Sequence, residues 1–506
     1  MMNIYKGTRT PIGQAALHQK LSLPFTLPAV CSYIVSEARH TRELGTDIEE
    51  YYPSVNKTDD SLQGNLRFAL RHEPMDLRVI SATLEAIGPN ALAEWVRSEP
   101  TSVFSRRAWF LYETLVGQVL DLEPARSGNY VDVLDAKRHY VSTPINSQRH
   151  RVRDNLLGSS NLCPVVRRTR RLEALVATQL DIRVRRLEQQ YGPEMLARAV
   201  SFLYTKETRS SFAIEGEAPG QNREQRFVQS LHDAASFNFK DKASFLTLQG
   251  SIVDPRYAAT DWRNIQNFVG ETTRQFGEYV HFIAPKPEDV PSLMQGWMKM
   301  TERLLHSPID PVIAAAVSSF AFVFIHPFED GNGRIHRFLV HSVLSKREFS
   351  TPGIIFPVSA AILRNRHLYD QTLEVFSKPI LPAIEWSFLE DRSIVVENYT
   401  RDLYRFFDAT PQAEYLYERV EETIGTDFIE ELNFLAVYDG AFTALRKIVD
   451  MPDRRASLLL RLLLQNGGRL SQNKRSQFAE LTNNEVNRIE EAVTEVMRSS
   501  PTATGS

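Results

Sequence analysis

The spacing of apolar positions divides the chain before any motif is considered. The most strongly apolar run ends the stretch from Pro311 to Ile325. It falls short of the ~20 residues that a membrane-crossing helix needs, so it predicts a buried core helix. Pro327 stops it. Beyond Gly333, the residues Ile335, Phe338, Leu339, Ser342 and Val343 recur at helical spacing and predict a second helix. Upstream, Leu172, Leu175, Val176 and Gln179 share one face, and from Leu172 onward the pattern is largely helical. Residues 261–288 interrupt it: two β-like runs around Gly270 and Gly277 predict a hairpin. Helices resume at Val290, break at Pro352 and Pro357, and return over 359–407. From Gln412 the chain is helical again. There, 456–465, 471–481 and 483–497 read as three helices, with a turn at Gly467-Gly468 and N-caps at Ser471 and Asn483. Before Tyr140, helix-like periods mix with turn signals at Gly88-Pro89 and Pro100, and 109–116 reads as a helix with an aromatic face. The expected fold class is mainly α.

Composition narrows the function classes. With 506 residues, 42% of them hydrophobic, the chain has ample material for cores, and disorder as the main state is excluded. The length suggests about three domains. A formal net charge of −3 carries no global commitment to nucleic acid or to a membrane surface. Cys31 and Cys163 form neither a disulfide framework nor a zinc site, and a reducing cytoplasm is the default expectation. The first 19 residues lack the continuous apolar stretch of a secretory signal. One charge run stands out: Arg149, Arg151, Arg153, Arg167, Arg168, Arg170 and Arg171, interrupted by Pro164 and Gly158. It reads as a connector pairing with nearby acids rather than as a nucleic-acid patch.

The chemistry concentrates in residues 326–337, His-Pro-Phe-Glu-Asp-Gly-Asn-Gly-Arg-Ile-His-Arg. Glycines let successive backbone N–H groups converge, and the helix that follows adds partial positive charge at its N-terminus. Gly331, Asn332 and Gly333 therefore make an anion nest suited to phosphate oxygens. Arg334 and Arg337, three residues apart on the helix, can face one ligand. Asp330 can hold a divalent cation that bridges phosphates, since Mg2+ takes few protein carboxylates. His326, at the end of the preceding helix, suits a general base. For Asp-Gly-Asn-Gly alone, an ordinary interhelical turn would be the preferred reading. Arg334 argues against an EF-hand loop, and the absence of any Gly-Lys pair excludes a Walker A motif.

Residues 326–337 match the signature His-x-Phe-x-Asp/Glu-Gly-Asn-Gly-Arg-x-x-Arg, and the chain thereby resembles the Fic family. The resemblance implies an all-α core with a small β-hairpin flap. It implies transfer of AMP from ATP to a Ser, Thr or Tyr hydroxyl of a target protein, with Mg2+. In that scheme His326 is the base, Asp330 the metal ligand, and Gly331, Asn332 and Gly333 the anion hole. Arg334 holds the β-phosphate, Arg337 holds the γ-phosphate, and Phe328 anchors the loop in the core. Ser211-Phe-Ala-Ile-Glu215-Gly216-Glu217 resembles the family's inhibitory motif, whose glutamate pairs with the second signature arginine. Here that pair is Glu215 with Arg337, on an inhibitory helix placed N-terminal to the signature. Val269 and Gly270 resemble the flap, and residues 365–369, with Tyr369, resemble the helix that closes the adenine pocket. A later Asn seen in some members is Ser377 here.

The domain organisation expected is an N-terminal α-rich region of unassigned role (1–150) and a Fic core (172–407). The core would hold the inhibitory helix (about 205–217), the flap (about 266–284) and the signature loop (326–337). A C-terminal helical module (412–506), similar to a winged helix, would follow. Expected partners are ATP and a target protein, itself included, with homodimer formation and DNA binding through the C-terminal module as further options and no membrane. Three alternatives stay open: a Fic-fold regulator that binds DNA, transfer of another phosphate-containing group, and removal of AMP.

Overall fold

The computed structural model describes residues 9–45, 47–272 and 278–499. Gly277 of the expected hairpin lies outside them. The architecture is predominantly helical, and one hydrophobic core runs from Leu17 to Leu435. At its centre is the apolar helix Pro311–Ile325, in which every residue after Pro311 is buried. Its start is fixed by Asp310, whose Oδ1 accepts from the N–H of Val312 at 2.8 Å and of Ile313 at 3.3 Å. Its end is fixed by His326, which takes a left-handed conformation at φ 52°. A helix apolar on all sides has to be surrounded. It is flanked by the helices Val290–Leu305, Asn332–Lys346 and Thr410–Thr423.

An aromatic cluster locks the apolar helix in place. Trp297 is fully buried and meets Phe239, Phe245 and Phe322 at centroid distances of 5.9, 5.3 and 5.9 Å. Its indole N–H donates to the Ser318 carbonyl at 2.7 Å. The flap is present as strands Phe268–Thr272 and Glu278–Ile283, antiparallel, with a register irregularity between Val269 and Gly270.

The N-terminal region contains more strand than its sequence pattern suggests. Strands β1 (Thr10–Ile12), β2 (Val30–Val35), β3 (His40–Leu44) and β4 (Asp47–Pro53) form a sheet of order β1-β2-β4-β3, with β2 and β4 parallel. All six residues of β2 are buried, so the strand shows no polar/apolar alternation for a reader of the sequence. Helix Leu62–His72 meets the sheet through Phe68, which clusters with Ile12, Ile34 and Tyr52, and helices Leu77–Ser98 and Val103–Leu111 pack on that helix in turn. A second departure lies within 359–407, where the strands Trp386–Phe388 and Ile394–Val396 form a hairpin in a stretch read as helical. The β-branched run Ile394-Val-Val396 favours strand there.

The arginine-rich connector is stitched into the fold through its acids. Arg149 pairs with Glu113 at 2.9 Å, Arg153 with Asp132 at 2.5 Å, and buried Arg167 with Asp408 at 2.5 Å. At the C-terminus, helices Ile429–Arg446, Asp453–Gln465 and Asn483–Ser499 enclose a separate small core that includes Leu445, Leu460, Phe478 and Ile489. The last helix is capped at Thr482 rather than Asn483. Thr482 Oγ accepts from Glu485 N–H at 3.2 Å, and Glu485 accepts from Thr482 N–H at 2.7 Å, a reciprocal capping box. Arg475 donates to the carbonyls of Phe478 and Leu481, both at 2.6 Å. Among the described residues, no strand follows these helices and no helix is long and apolar enough to cross a membrane.

Trp297→Ala should remove this central contact and the extra bond that the indole makes to the Ser318 carbonyl. Large aromatic truncations in cores cost about 3–5 kcal/mol. A denaturant midpoint unchanged from wild type would show that the cluster is not what secures the apolar helix.

Candidate active site

The site is built at the junction of two helices. The apolar helix delivers His326 at its C-terminal end, and six residues later the signature helix Asn332–Lys346 begins. The loop between them is cross-tied. Asn332, buried, accepts from Phe328 N–H at 3.0 Å and donates to the Phe328 carbonyl at 2.7 Å. Phe328 is fully buried against Trp262 and Phe322. Gly331 sits at φ 90°, a left-handed conformation that glycine alone adopts without strain, and a Cβ there would meet Val253 at 3.2 Å.

Arg263 holds the loop from the other side. Its guanidinium donates to the carbonyls of His326 (2.7 Å), Ile265 (2.8 Å) and Pro285 (2.5 Å), and its backbone N–H donates to Pro327 O at 2.9 Å. One buried side chain thus joins the signature loop to both ends of the flap. Burial lowers its ionisation to about 10, which still leaves it cationic at neutral pH.

The polar groups are arranged for one task each. His326 Nδ1 lies 3.2 Å from the Val323 carbonyl, which can only accept, so Nδ1 carries the proton and Nε2 is left as an acceptor. Burial, with Arg263 nearby, brings the imidazole down to about 4, so it is neutral at pH 7. His326 lines a cavity of about 460 Å3 together with Val269, Gly270, His281, Phe324, Arg366 and Asp370. No side chain caps the signature helix at Gly331, so its first-turn N–H groups remain open to an anion. Asp330 uses Oδ1 for Gly331 N–H (2.6 Å) and for Arg334 (2.9 Å).

Arg337 is 1% exposed. It donates through Nε to Ser211 Oγ at 2.9 Å, and through Nη2 to Ser211 O at 2.8 Å and Glu215 Oε1 at 2.7 Å. Burial pushes the Glu215 carboxyl up, but Arg337, helped by Arg334, brings it below the usual carboxylate value. Ser211 and Glu215 reach this point from the end of helix Pro193–Ile214, and Gly216 follows at φ 73°. Arg334, 2% exposed, donates to Glu217 Oε2 at 3.2 Å, and Arg223 holds the same oxygen at 2.9 Å. Both guanidinium carbons lie 5.1 Å from the Phe212 ring. Arg334 Nε and Arg337 Nη1 are buried and have no hydrogen-bond partner. Two cations with unused donors beside an uncapped helix start form an anion site.

A family model described as Fic/DOC matches residues 239–344, the stretch that holds the flap and the signature loop. Over these residues the chain carries a Fic/DOC family domain. Its Fic domain is similar to the protein adenylyltransferase Fic of Culex quinquefasciatus, 28% identical over 192 residues, covering 36% of this chain and 33% of that protein. The corresponding Drosophila melanogaster protein is 37% identical over 75 residues, 15% of each chain. The chain thus matches a third or less of the length of these curated relatives. A crystal structure of a Fic family protein from Desulfovibrio desulfuricans G20 aligns over 65% of this chain and 90% of its own, at 20% identity and a TM-score of 0.38.

The Fic fold brings His326, Asp330, Gly331, Asn332, Gly333, Arg334, Arg337, Ser211, Glu215 and Gly216 into one neighbourhood, with Val269 and Gly270 in the cavity wall. Tyr369 does not line that cavity, but it lies close enough to Arg337 for the two side chains to interact. It packs behind the cavity against Phe320, His336 and Tyr415 at centroid distances of 6.5, 6.0 and 6.2 Å. The face that helix Arg366–Ile380 turns to the cavity carries Arg366, Asp370, Leu373, Glu374 and Ser377 instead. Arg263 and the Glu217–Arg334 pair escape a sequence reading. Arg263 acts only through carbonyl groups, and Glu217 follows a helix end, where a carboxylate ordinarily faces water.

For a divalent cation the fit is partial but specific. The described residues hold no cluster of three or more His, Cys, Asp or Glu side chains that could hold a metal alone. Asp330 is half-exposed and its Oδ2 makes no hydrogen bond or ion pair among the described residues, which suits a Mg2+ ion completed by phosphate oxygens and water.

Asn332→Ala should leave the buried N–H of Phe328 without a partner and its carbonyl with only the 3.4 Å bond from Asn267. An unpartnered buried group costs about 1–3 kcal/mol. The stability loss should appear in denaturant unfolding, and a loss below about 0.5 kcal/mol would show that the loop is held by Arg263 alone.

Proposed function

We propose that this protein transfers AMP from ATP to a hydroxyl of a target protein, and that its own Glu215 and Glu217 hold the reaction back. The observation that carries this reading is the pair of buried arginines. Each has an unpaired N–H at an uncapped helix start, beside a histidine that is neutral at pH 7. Two free buried cysteines fit a reducing compartment.

The chemistry follows from the groups. A Ser, Thr or Tyr hydroxyl attacks the α-phosphorus, the bond to the bridging oxygen breaks, and pyrophosphate leaves. His326 Nε2 accepts the hydroxyl proton as the new P–O bond forms. The first-turn N–H groups and Arg334 stabilise charge on the diphosphate, and Arg337 orients the terminal phosphate. A Mg2+ on Asp330 would neutralise phosphate charge when bound. In the geometry described above, Glu215 occupies Arg337 and Glu217 occupies Arg334, so the triphosphate must compete for both. A misplacement of about 1 Å is enough to cost ~100-fold in rate.

The deciding experiment follows AMP incorporation from α-labelled ATP, with γ-labelled ATP as the control. Glu215→Gly should raise incorporation about 10- to 100-fold over wild type. Adding Glu217→Gln should lower the KM for ATP further, because Arg334 is released as well. Adding His326→Ala to Glu215→Gly should keep nucleotide binding and reduce transfer by ~10²–10⁴. Label entering protein from the γ-phosphate would mean phosphoryl transfer and would overturn the reading.

The pH profile tests the base. An unperturbed imidazole of pKa ~6.5 would lose about 20-fold of its neutral fraction between pH 7 and pH 5. With His326 near 4, the rate of the Glu215→Gly protein should change less than about twofold over that window and fall only as the pH approaches 4. A tenfold loss by pH 5 would show that His326 titrates normally or is not the base.

A further inference from the structure

A second cavity, of about 870 Å3, lies on the other side of helix Arg366–Ile380 from the catalytic one. Its far wall is the N-terminal sheet, through Cys31, Tyr33, Leu44 and Ile48. Its near wall is the outer face of the helix, through Gln371, Val375 and Lys378. Two features mark it as a surface made for a partner rather than a packing gap. Its apolar residues are exposed at the mouth: Leu27 is 44% exposed, Leu44 43% and Val375 46%. Its charge is unbalanced toward acid. Each lining cation is already paired with a lining carboxylate: Arg78 with Asp76 (2.6 Å), Arg167 with Asp408 (2.5 Å) and Lys378 with Glu374 (2.6 Å). Glu49 takes Arg9 at 2.8 Å, and Asp47 has no ion-pair partner among the described residues.

We infer that this cleft docks an extended segment of a partner protein that alternates basic and apolar side chains. The apolar floor would take the apolar side chains, and Asp47, the lining carboxylate with no ion-pair partner among the described residues, would take a cation. β3 is the free edge of the sheet, and it ends at Leu44 on the rim, which suits a partner in extended form. The position matters because one helix separates the two cavities. Glu374 lines both: it binds Lys378 on the cleft side and lies 3.6 Å from His281 of the flap on the catalytic side. Phe324 and Phe376, stacked at 3.9 Å, complete the partition. A segment bound in the cleft is therefore held against the wall of the catalytic cavity. The inference does not depend on the reaction proposed above, since its test reads binding alone.

The test uses the full chain and two fluorescein-labelled twelve-residue peptides. One alternates Lys or Arg with Leu or Val, and the other carries Glu in place of every cation. Anisotropy should show saturable micromolar binding of the basic peptide, weakening as salt rises, and none of the acidic one. Leu27→Lys with Asp47→Lys, and separately Val375→Lys, should each weaken it about tenfold or more with the melting temperature retained. The wild-type comparison of the two peptides needs no variant, so a misfolded variant leaves the question answerable. Equal binding of both peptides, no saturation, or binding indifferent to both sets of substitutions would overturn the assignment. Spermidine competing as tightly as the basic peptide would reassign the cleft to a free polyamine. Dimerisation in sedimentation runs, abolished by the same substitutions, would reassign it to a second copy of this chain.

Discussion

Two buried guanidinium groups set the terms for this site. Arg334 and Arg337 are almost wholly out of water, and a cation there is strongly destabilising unless something negative meets it. The fold supplies that charge itself. It does so with Glu215, Glu217 and Asp330, which arrive from two directions. The anion site and its occlusion thus have one physical cause. The charge that makes the site attractive to an anion is also what draws the protein's own carboxylates into it.

The same reasoning explains why the loop is so heavily tied. An anion nest works only if its N–H groups are fixed before the ligand arrives. Asn332 fixes the loop from within by closing both backbone bonds of Phe328. Arg263 fixes it from outside and in the same gesture anchors the flap, because its carbonyl partners at Ile265 and Pro285 lie at the flap's two ends. Loop and flap therefore cannot shift independently. A target segment laid on the flap would be in register with His326 through a single side chain.

The parts of this arrangement that the sequence displays are those whose cause is local. The apolar helix is legible because all of its faces are buried, and the signature loop because its glycines, Asp330 and both arginines fall within a dozen residues. The Glu215–Arg337 pair joins positions 122 apart and is visible only through a motif already associated with it. The Glu217–Arg334 pair has no such motif, and Arg263 works through carbonyl groups that every residue possesses. Tyr369 was expected in the pocket because the helix was expected there. Helical phase decides the outcome, since Arg366, Asp370, Leu373 and Ser377 form the stripe that faces inward and Tyr369 falls at its margin. The N-terminal sheet was hidden for a different reason: β2 is buried on both faces, and an apolar run broken only by Ser32 carries no two-residue period.

The two carboxylate restraints are unequal, and the inequality has a consequence. Glu215 meets a guanidinium that is 1% exposed, at 2.7 Å, with Ser211 supplying two further acceptors. Glu217 meets Arg334 at 3.2 Å and shares its oxygen with Arg223, while both carboxylates are exposed to a similar degree. The longer contact is the easier to displace, because its carboxylate already has a second cation to hold it. Arg223 would keep Glu217 paired after it lets go of Arg334. A diphosphate moiety can therefore win Arg334 while Arg337 stays closed to the terminal phosphate. Under the proposed function, nucleotide binding and productive alignment become separate events: the first needs only the outer contact to yield, and the second waits on Glu215.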